Sequence, residues 1–368
     1  MDEMDTHTTT PGRGKRFEEC AKCTEEAVHV STTTRTAYCS SCFVKMVKAK
    51  FRSSLSKQKI FRGKDTRRAL VVVDGSTESA YLFRQIEDSV KQTNFKRLMI
   101  EPSFLVMLSS TNEFEVEAVQ GKLSILRDAL PFCSFYVAHL AAVFEYERMD
   151  DDGTCHGFQH VQKLTELCSS IETVSSREEV LRLLRIRLIQ QIAKDLGLSK
   201  IVVASNSDEL AQLAISQLCL GRGGAVSEMT NVIENTAAGV TFIRPLRDVS
   251  TEEATTALRL ENVEHYAFLP NIHDQLSSVS YAYEAGIKGS IQLCVSRFIR
   301  NLFNDGFKGT APNILGAVSK VHDREGSAIC TLCGYSFSSQ GSFCYVCSSI
   351  VNDFPASSLP ILLGERLR

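Results

Sequence analysis

The sequence predicts an α/β fold, a doubly wound and largely parallel sheet flanked by N- and C-terminal four-cysteine modules. Three observations predict it. From residue 69 onward, short β-branched apolar runs alternate with amphipathic stretches of helical period, the pattern of strands joined by crossover helices. The run Val71-Val72-Val73 is continuous, which suits a strand covered on both faces, and it passes through the turn Asp74-Gly75-Ser76 into a helix. Eight of the 13 cysteines fall into four Cys-x-x-Cys pairs.

Residues 1–16 are polar and Thr-rich and read as a disordered tail without a secretory segment. No apolar run approaches the ~20 residues of a membrane span, so no membrane association is expected. The expected compartment is cytoplasmic, where thiols stay reduced.

Residues 17–45 read as a zinc module. Cys20-x2-Cys23 is separated by 15 residues from Cys39-x2-Cys42, so two short knuckles present four thiolates to a tetrahedral ion. Paired disulfides conflict with the compartment, and isolated buried thiols conflict with the paired spacing.

Residues 46–68 read as a basic helix and linker. The helix runs over 43–58, with Phe43, Val44, Met46, Val47, Phe51 and Leu55 at near-helical intervals. Ten cations (Lys45, Lys48, Lys50, Arg52, Lys57, Lys59, Arg62, Lys64, Arg67 and Arg68) face only Asp65. A few lysines on a helix make a solvated face. An imbalance of this size points to nucleic-acid phosphates, contacted by Lys45, Lys48, Lys50, Arg52 and Lys57.

Residues 69–315 carry the α/β pattern. Strands are expected at 69–73, 104–108, 133–140, 200–204 and 240–243, with helices at 78–91, 113–130, 178–196, 208–220 and from Thr251. In the 178–196 helix, Leu181, Leu184, Leu188, Ile192 and Leu196 form one apolar stripe, with Arg182, Arg185 and Arg187 off it. A helical stretch is expected over 275–304. Residues 316–350 read as a second zinc module, with Cys330-x2-Cys333 and Cys344-x2-Cys347 ten residues apart. Spacing leaves open whether the quartets hold one ion each or share one. Residues 351–368 form a tail without a motif.

The strand–turn–helix Asp74-Gly75-Ser76-Thr77-Glu78-Ser79 resembles the pyrophosphate (PP) loop of N-type ATP pyrophosphatases, Ser-Gly-Gly-x-Asp-Ser. Gly75 and Ser79 match. A helix N-terminus offers free N–H groups and a positive dipole end to phosphate, but Asp74 puts a carboxylate where an anion would bind, and Ser76 narrows the backbone's approach. Glu78 stands at the metal-binding acid's place. A second segment, Ser205-Asn206-Ser207-Asp208-Glu209, stands where active relatives carry Gly-His-Asn-x-Asp-Asp; Asn206 and Asp208 match and the His does not. Both segments also read as ordinary capped helix starts.

Cys20-Ala21-Lys22-Cys23, Tyr38-Cys39-Ser40-Ser41-Cys42-Phe43, Leu220-Gly221-Arg222-Gly223-Gly224, Ile243-Arg244-Pro245-Leu246-Arg247-Asp248 and the terminal cysteine pairs, in this order, resemble the cytoplasmic tRNA 2-thiolation protein 2 family over roughly residues 17–355. The resemblance implies the partner subunit of a catalytic paralogue in a heterodimer. That complex replaces the 2-oxygen of the wobble uridine with sulfur, giving 5-methoxycarbonylmethyl-2-thiouridine in the tRNAs for Lys, Glu and Gln. It also implies a thiocarboxylated ubiquitin-related modifier as sulfur donor, and tRNA binding to which Arg222, Arg244 and Arg247 contribute.

The active thiolases that this family resembles place a Cys-x-x-Cys at the start of the helix matching 177–196, and another Cys beyond the Arg-Pro-Leu segment. Thr173–Glu179 and Glu253–Asn271 carry none. Cys133, Cys155, Cys168, Cys219 and Cys294 are scattered and read as small apolar residues; His160, His265 and His322 read as structural. The chain is therefore expected to be a non-catalytic subunit of an ATP-dependent complex, with no ATP binding expected in this subunit. Two rivals stand beside this reading: an active ATP-dependent tRNA sulfurtransferase using Glu78 and Cys168, and a zinc-stabilised adaptor that binds protein.

Overall fold

The computed structural model describes residues 19–61, 67–93, 98–281, 289–321, 328–338 and 341–354. The 1–16 tail, Arg62, Lys64, Asp65, His322 and residues 355–368 lie outside these. The first module is a two-strand hairpin, β1 (His29–Val30) with β2 (Ala37–Tyr38), followed by helix α1 (Ser40–Lys57). α1 buries Phe43, Val47, Phe51 and Leu55, an i, i+4 stripe that joins the main core.

Strand β3 (Arg68–Val73) leads to α2 (Thr77–Lys91), β4 (Glu101–Leu108), α3 (Glu113–Ala129), β5 (Phe135–His139) and β6 (Cys155–His156). Helices α4 (Val161–Ser170) and α5 (Val174–Asp195) then cross to β7 (Lys200–Val202). There follow α6 (Ser207–Leu220), α7 (Val226–Thr230), β8 (Ile233–Asn235), β9 (Thr241–Ile243) and α8 (Thr251–Leu260). Helix α9 (Ile272–Tyr281), α10 (Ile291–Asn304) and α11 (Thr310–Val318) precede the second module: hairpin β10 (Ala328–Ile329) and β11 (Ser336–Phe337), then α12 (Tyr345–Asn352).

Seven strands form one sheet in the order β6-β5-β4-β3-β7-β9-β8, parallel except for β8 against β9. Ala69, Val71 and Val73 enter the core under α1, α2, α3 and α8, while Leu70 and Val72 enter the core under α5. The continuous valine run therefore serves a strand buried on both faces, as its composition predicts. From β3 the chain winds through β4 and β5 to one side, then returns through α5 to β7 on the other. The loop after β3 thus lies at the switch point, where open α/β sheets bind ligands beyond the carboxyl ends of their strands.

Two expectations need correction. The helical stretch over 275–304 is divided into α9 and α10, and α10 starts afresh at its own cap, Ser290, whose Oγ accepts from the Leu293 amide at 2.9 Å. The third strand is Phe135–His139, shorter than 133–140, because Cys133 belongs to the turn before it.

Candidate functional site

The loop is ordered by its own polar atoms. Gly75 has φ +79°, and a Cβ there would lie 2.6 Å from the Phe268 ring, so only glycine fits. Ser76 caps α2: its Oγ accepts from the Ser79 amide at 3.1 Å. The Asp74 carboxylate turns back on the loop. Its Oδ1 accepts from the Ser76 amide (3.2 Å) and hydroxyl (2.6 Å), and its Oδ2 accepts from Arg185 Nη2 (3.0 Å). An internal anion thus takes the N–H and the guanidinium that a phosphate would need. The amides of Phe268 and Leu269 both donate to the Gly75 carbonyl at 2.9 Å, and Gln275 Nε2 donates to the Asp74 carbonyl at 3.0 Å. The free space beside the loop, lined by Asp74, Ser76, Arg185, Ser205 and Glu209, is about 20 Å³. That is room for roughly one water, not a pyrophosphate.

The two motif segments meet in space. Glu78, 2% exposed, accepts at Oε1 from Asn206 Nδ2 (3.2 Å) and from Thr251 Oγ1 (2.8 Å). Asn206 caps α6, accepting from the Asp208 and Glu209 amides at 3.1 and 2.9 Å. Asp208 accepts from the Thr251 amide at 2.8 Å. Thr251 joins the motifs, and its sequence position, 45 residues from Asn206 and 173 from Glu78, gave no signal of this. Burial raises the Glu78 carboxyl above its ordinary range, and the charges of Asp74 and Asp208 add to it. Burial likewise raises Asp208. Glu209 is raised well above its ordinary value by burial, then by Glu78 and Asp74. The hydrogen bonds that join these segments run through Asn206 and Thr251.

Beyond the loop, at the carboxyl ends of β7 and β9, a chamber of about 120 Å³ lies between α5 and α6, lined by Arg182, Arg185, Glu209, Gln217, Arg244 and Tyr335 among apolar walls. Glu179, 1% exposed, anchors its edge. It accepts from Arg182 Nε (2.9 Å) and Nη2 (2.7 Å), from Gln217 Nε2 (2.9 Å) and from Arg222. Burial alone would raise this carboxyl, but Arg182 and Arg222 override it and bring it to about 2. The start of α5, where a catalytic thiol pair is expected in active relatives, is thus filled by an ion network.

The arginines expected to meet RNA are engaged within the chain. Arg222 is 5% exposed and paired with Glu179; Arg244 is 8% exposed and paired with Glu234. Arg247 donates to the carbonyls of Thr230 (2.8 Å) and Leu315 (3.3 Å). Each faces the protein interior or its backbone, because the turns that carry them tie α6, β9 and the C-terminal module together. On α1, Lys48 pairs with Glu261 (2.8 Å), Lys50 with Glu253 (2.6 Å) and Arg52 with Asp88 (3.5 Å). Lys45, Lys57 and Lys59 are exposed.

Of the scattered thiols, Cys168 is buried, Cys133 and Cys155 are half-buried, and Cys219 and Cys294 are exposed. Burial pushes Cys168 up to about 12, and Cys133 and Cys155 up to about 11. His160 lies 3.6 Å from Glu145 at the surface, and the His265 ring packs at a tilt against Tyr266, with centroids 4.6 Å apart.

The quartets are two separate clusters, Cys20, Cys23, Cys39 and Cys42, and Cys330, Cys333, Cys344 and Cys347, each with its sulfurs within 4.8 Å of one another. Cys23 Sγ lies 3.6 Å from Cys39 Sγ and 3.7 Å from Cys42 Sγ, and Cys333 Sγ lies 3.8 Å from Cys344 Sγ. A tetrahedron with metal–sulfur bonds of ~2.3 Å has edges of about 3.8 Å, so each quartet fits one tetrahedral ion, with zinc or iron the natural choices for four thiolates. The N-terminal module is held by Ser31 Oγ donating to Glu253 (2.9 Å) and by the Thr32–Ser250 hydroxyl pair (2.9 Å). The C-terminal module is held by Tyr335 donating to Glu234 and by a core shared with α4 and α5.

No family model matches the chain. It is 32% identical over 339 residues to "Cytoplasmic tRNA 2-thiolation protein 2" of Caenorhabditis briggsae, covering 90% of this chain and 93% of that protein. Its identity to the Caenorhabditis elegans protein of the same name is 32% over 338 residues, with the same coverage. Among solved structures, the U34-tRNA thiolase NcsA from Methanococcus maripaludis with its 4Fe-4S cluster is similar at a TM-score of 0.58, over 91% of this chain and 96% of that one, at 15% identity. That likeness establishes the fold.

Proposed function

The chain belongs to the cytoplasmic tRNA 2-thiolation protein 2 family, and from that premise we propose that it is the non-catalytic subunit of a heterodimeric tRNA thiolation complex. Its role is in tRNA thiolation, in the cytoplasm. Its partner is a catalytic paralogue. Together they convert the wobble uridine of the tRNAs for Lys, Glu and Gln to its 2-thio form, giving 5-methoxycarbonylmethyl-2-thiouridine, with sulfur from a thiocarboxylated ubiquitin-related modifier.

One observation carries the non-catalytic reading: the Asp74 carboxylate, paired with Arg185, occupies the loop that would have to receive pyrophosphate. Supporting it, Glu78 is engaged by Asn206 and Thr251 rather than open to a metal, and Cys168 is buried with its thiol pushed up to about 12. The chain contributes surface instead of chemistry. Lys45, Lys57 and Lys59, along and just beyond α1, supply phosphate contacts, and each quartet holds a structural zinc ion.

The test is reconstitution. Chain and paralogue are purified separately and together, and 2-thiouridine in tRNA and ATP–pyrophosphate exchange are measured. The pair is expected to thiolate and the isolated chain to do neither. Thiolation or exchange by the isolated chain overturns the proposal.

A further inference from the structure

The Gly-Arg-Gly-Gly turn has no part in the reading above, yet its arginine is among the most constrained cations in the molecule. α6 ends at Gly221, with φ +98° and the Tyr345 ring 2.8 Å from where a Cβ would stand. The next residue, Arg222, is directed inward. Its Nη2 donates to Cys347 Sγ at 3.4 Å, and its Nη1 donates to Glu179 Oε1 and Gln217 Oε1. Those partners come from α12, α5 and α6, so one guanidinium joins three elements.

The local charge count gives this contact a purpose. Glu179 is shared between Arg182 and Arg222, so two guanidiniums meet one buried carboxylate. An arginine stays charged at any physiological pH, and a buried charge needs a partner. Four thiolates around a divalent ion carry a net charge of minus two, and Cys347 is one of the four. A loaded quartet would give Arg222 a second counter-charge, on the side away from Glu179. Apolar packing runs the same way, since Cys330, Leu332, Cys344, Val346, Cys347 and Ile350 share one core cluster with residues of α4 and α5.

We propose that Arg222 is an outer-sphere positioning residue of the C-terminal metal centre, and that through it metal occupancy at Cys330–Cys347 holds together the α5 and α6 walls of the chamber. The proposal rests on the quartet being a metal centre and not on the activity assigned above. The N-terminal quartet is an internal control, because its sulfurs meet the Lys22 amide (3.4 Å) and the Ser41 hydroxyl (3.4 Å).

The experiment uses the full chain loaded with zinc, or with cobalt(II) for its thiolate charge-transfer band. Arg222→Gln and Arg222→Lys are compared with the unchanged chain. Metal release to a chelating dye is followed together with amide hydrogen exchange at the start of α5 and the end of α6. Loss of an outer-sphere partner is expected to weaken metal retention by about 10- to 100-fold. Two ions should leave the unchanged chain slowly. In Arg222→Gln one ion should leave within that faster range and the other at the unchanged rate, with Arg222→Lys between the two. In the unchanged chain, loss of the C-terminal ion should release amide protection at the chamber. A folded Arg222→Gln or Arg222→Lys that keeps both ions as the unchanged chain does overturns the role of Arg222. Full protection after loss of the C-terminal ion overturns the coupling. A chain with no ion at Cys330–Cys347 overturns the whole proposal by removing the centre itself.

Discussion

At Asp74 a side chain satisfies the loop in place of a ligand, and the consequences can be read one residue at a time. Removing the carboxylate leaves Arg185, whose Nε already lacks a partner, without its ion pair. Asp74→Ser is expected to cost about 3 kcal/mol of stability and to free an anion position. Millimolar inorganic pyrophosphate should then raise the melting temperature of the variant and leave the unchanged chain where it was. Equal shifts in both would show that Asp74 does not close the loop. Glu209 makes a second case. Burial raises it, so the native form keeps a proton that the unfolded chain loses above about 4.5, and stability falls as pH rises past that value. Glu209→Gln should therefore be more stable than the unchanged chain near neutral pH and equal to it in acid, as urea titrations at several pH values would check. His139 has the opposite sign. Burial lowers it from 6.5 to about 4, so its share of stability, roughly 3 kcal/mol, is present above 6.5 and lost as pH falls to 4. His139→Gln should flatten that acid limb. The sequence shows Asp74 in the anion's place, but not its partner. Arg185 lies 111 residues away, off the apolar stripe of its helix, where a solvated face is the ordinary reading.

Among the elements, α1 best separates what periodicity reveals from what it hides. Its apolar stripe is explicit in the sequence, and Phe43, Val47, Phe51 and Leu55 are buried as the spacing requires. Its charge balance is not explicit. A count along the chain finds one acid among ten cations, whereas Asp88 of α2, Glu253 of α8 and Glu261 just beyond it neutralise Lys48, Lys50 and Arg52 across elements. The helix therefore has two classes of lysine with different expected phenotypes. Lys50→Glu faces the fully buried Glu253 side chain, which also caps α8, and should lower the melting temperature markedly. Charge reversal at Lys45, Lys57 and Lys59 should leave folding intact and weaken tRNA binding uniformly across sequences. The slope of log affinity against log salt should fall by about 0.9 for each phosphate that is no longer neutralised. An unchanged slope would remove α1 as an RNA surface. The central-sheet strands that sequence reading missed, β6 and β8, are two and three residues long, too short for any alternation to register.

At the scale of the whole molecule, the two quartets are integral to the α/β domain. Cys20 and Cys39 belong to the same core cluster as Phe43, Val71 and Phe104, and Cys330, Cys344 and Cys347 belong to the cluster built on α4 and α5. Metal that binds only the native arrangement of thiolates contributes its binding free energy to folding. Because the sulfurs are continuous with the cores, that energy should stabilise the domain and not merely its ends. Freshly purified chain is therefore expected to carry about two ions by elemental analysis. Chelation should shift the main calorimetric transition to lower temperature, together with loss of structure in both modules. Fewer than one ion per chain, or a chelated chain whose main transition stays in place, would contradict this. The same continuity explains why a fold without an open phosphate loop keeps its shape: with Asp74 serving as the internal anion and Glu179 and the thiolates balancing the buried arginines, ionic contacts inside the chain hold the carboxyl edge of the sheet that a bound nucleotide would otherwise fill.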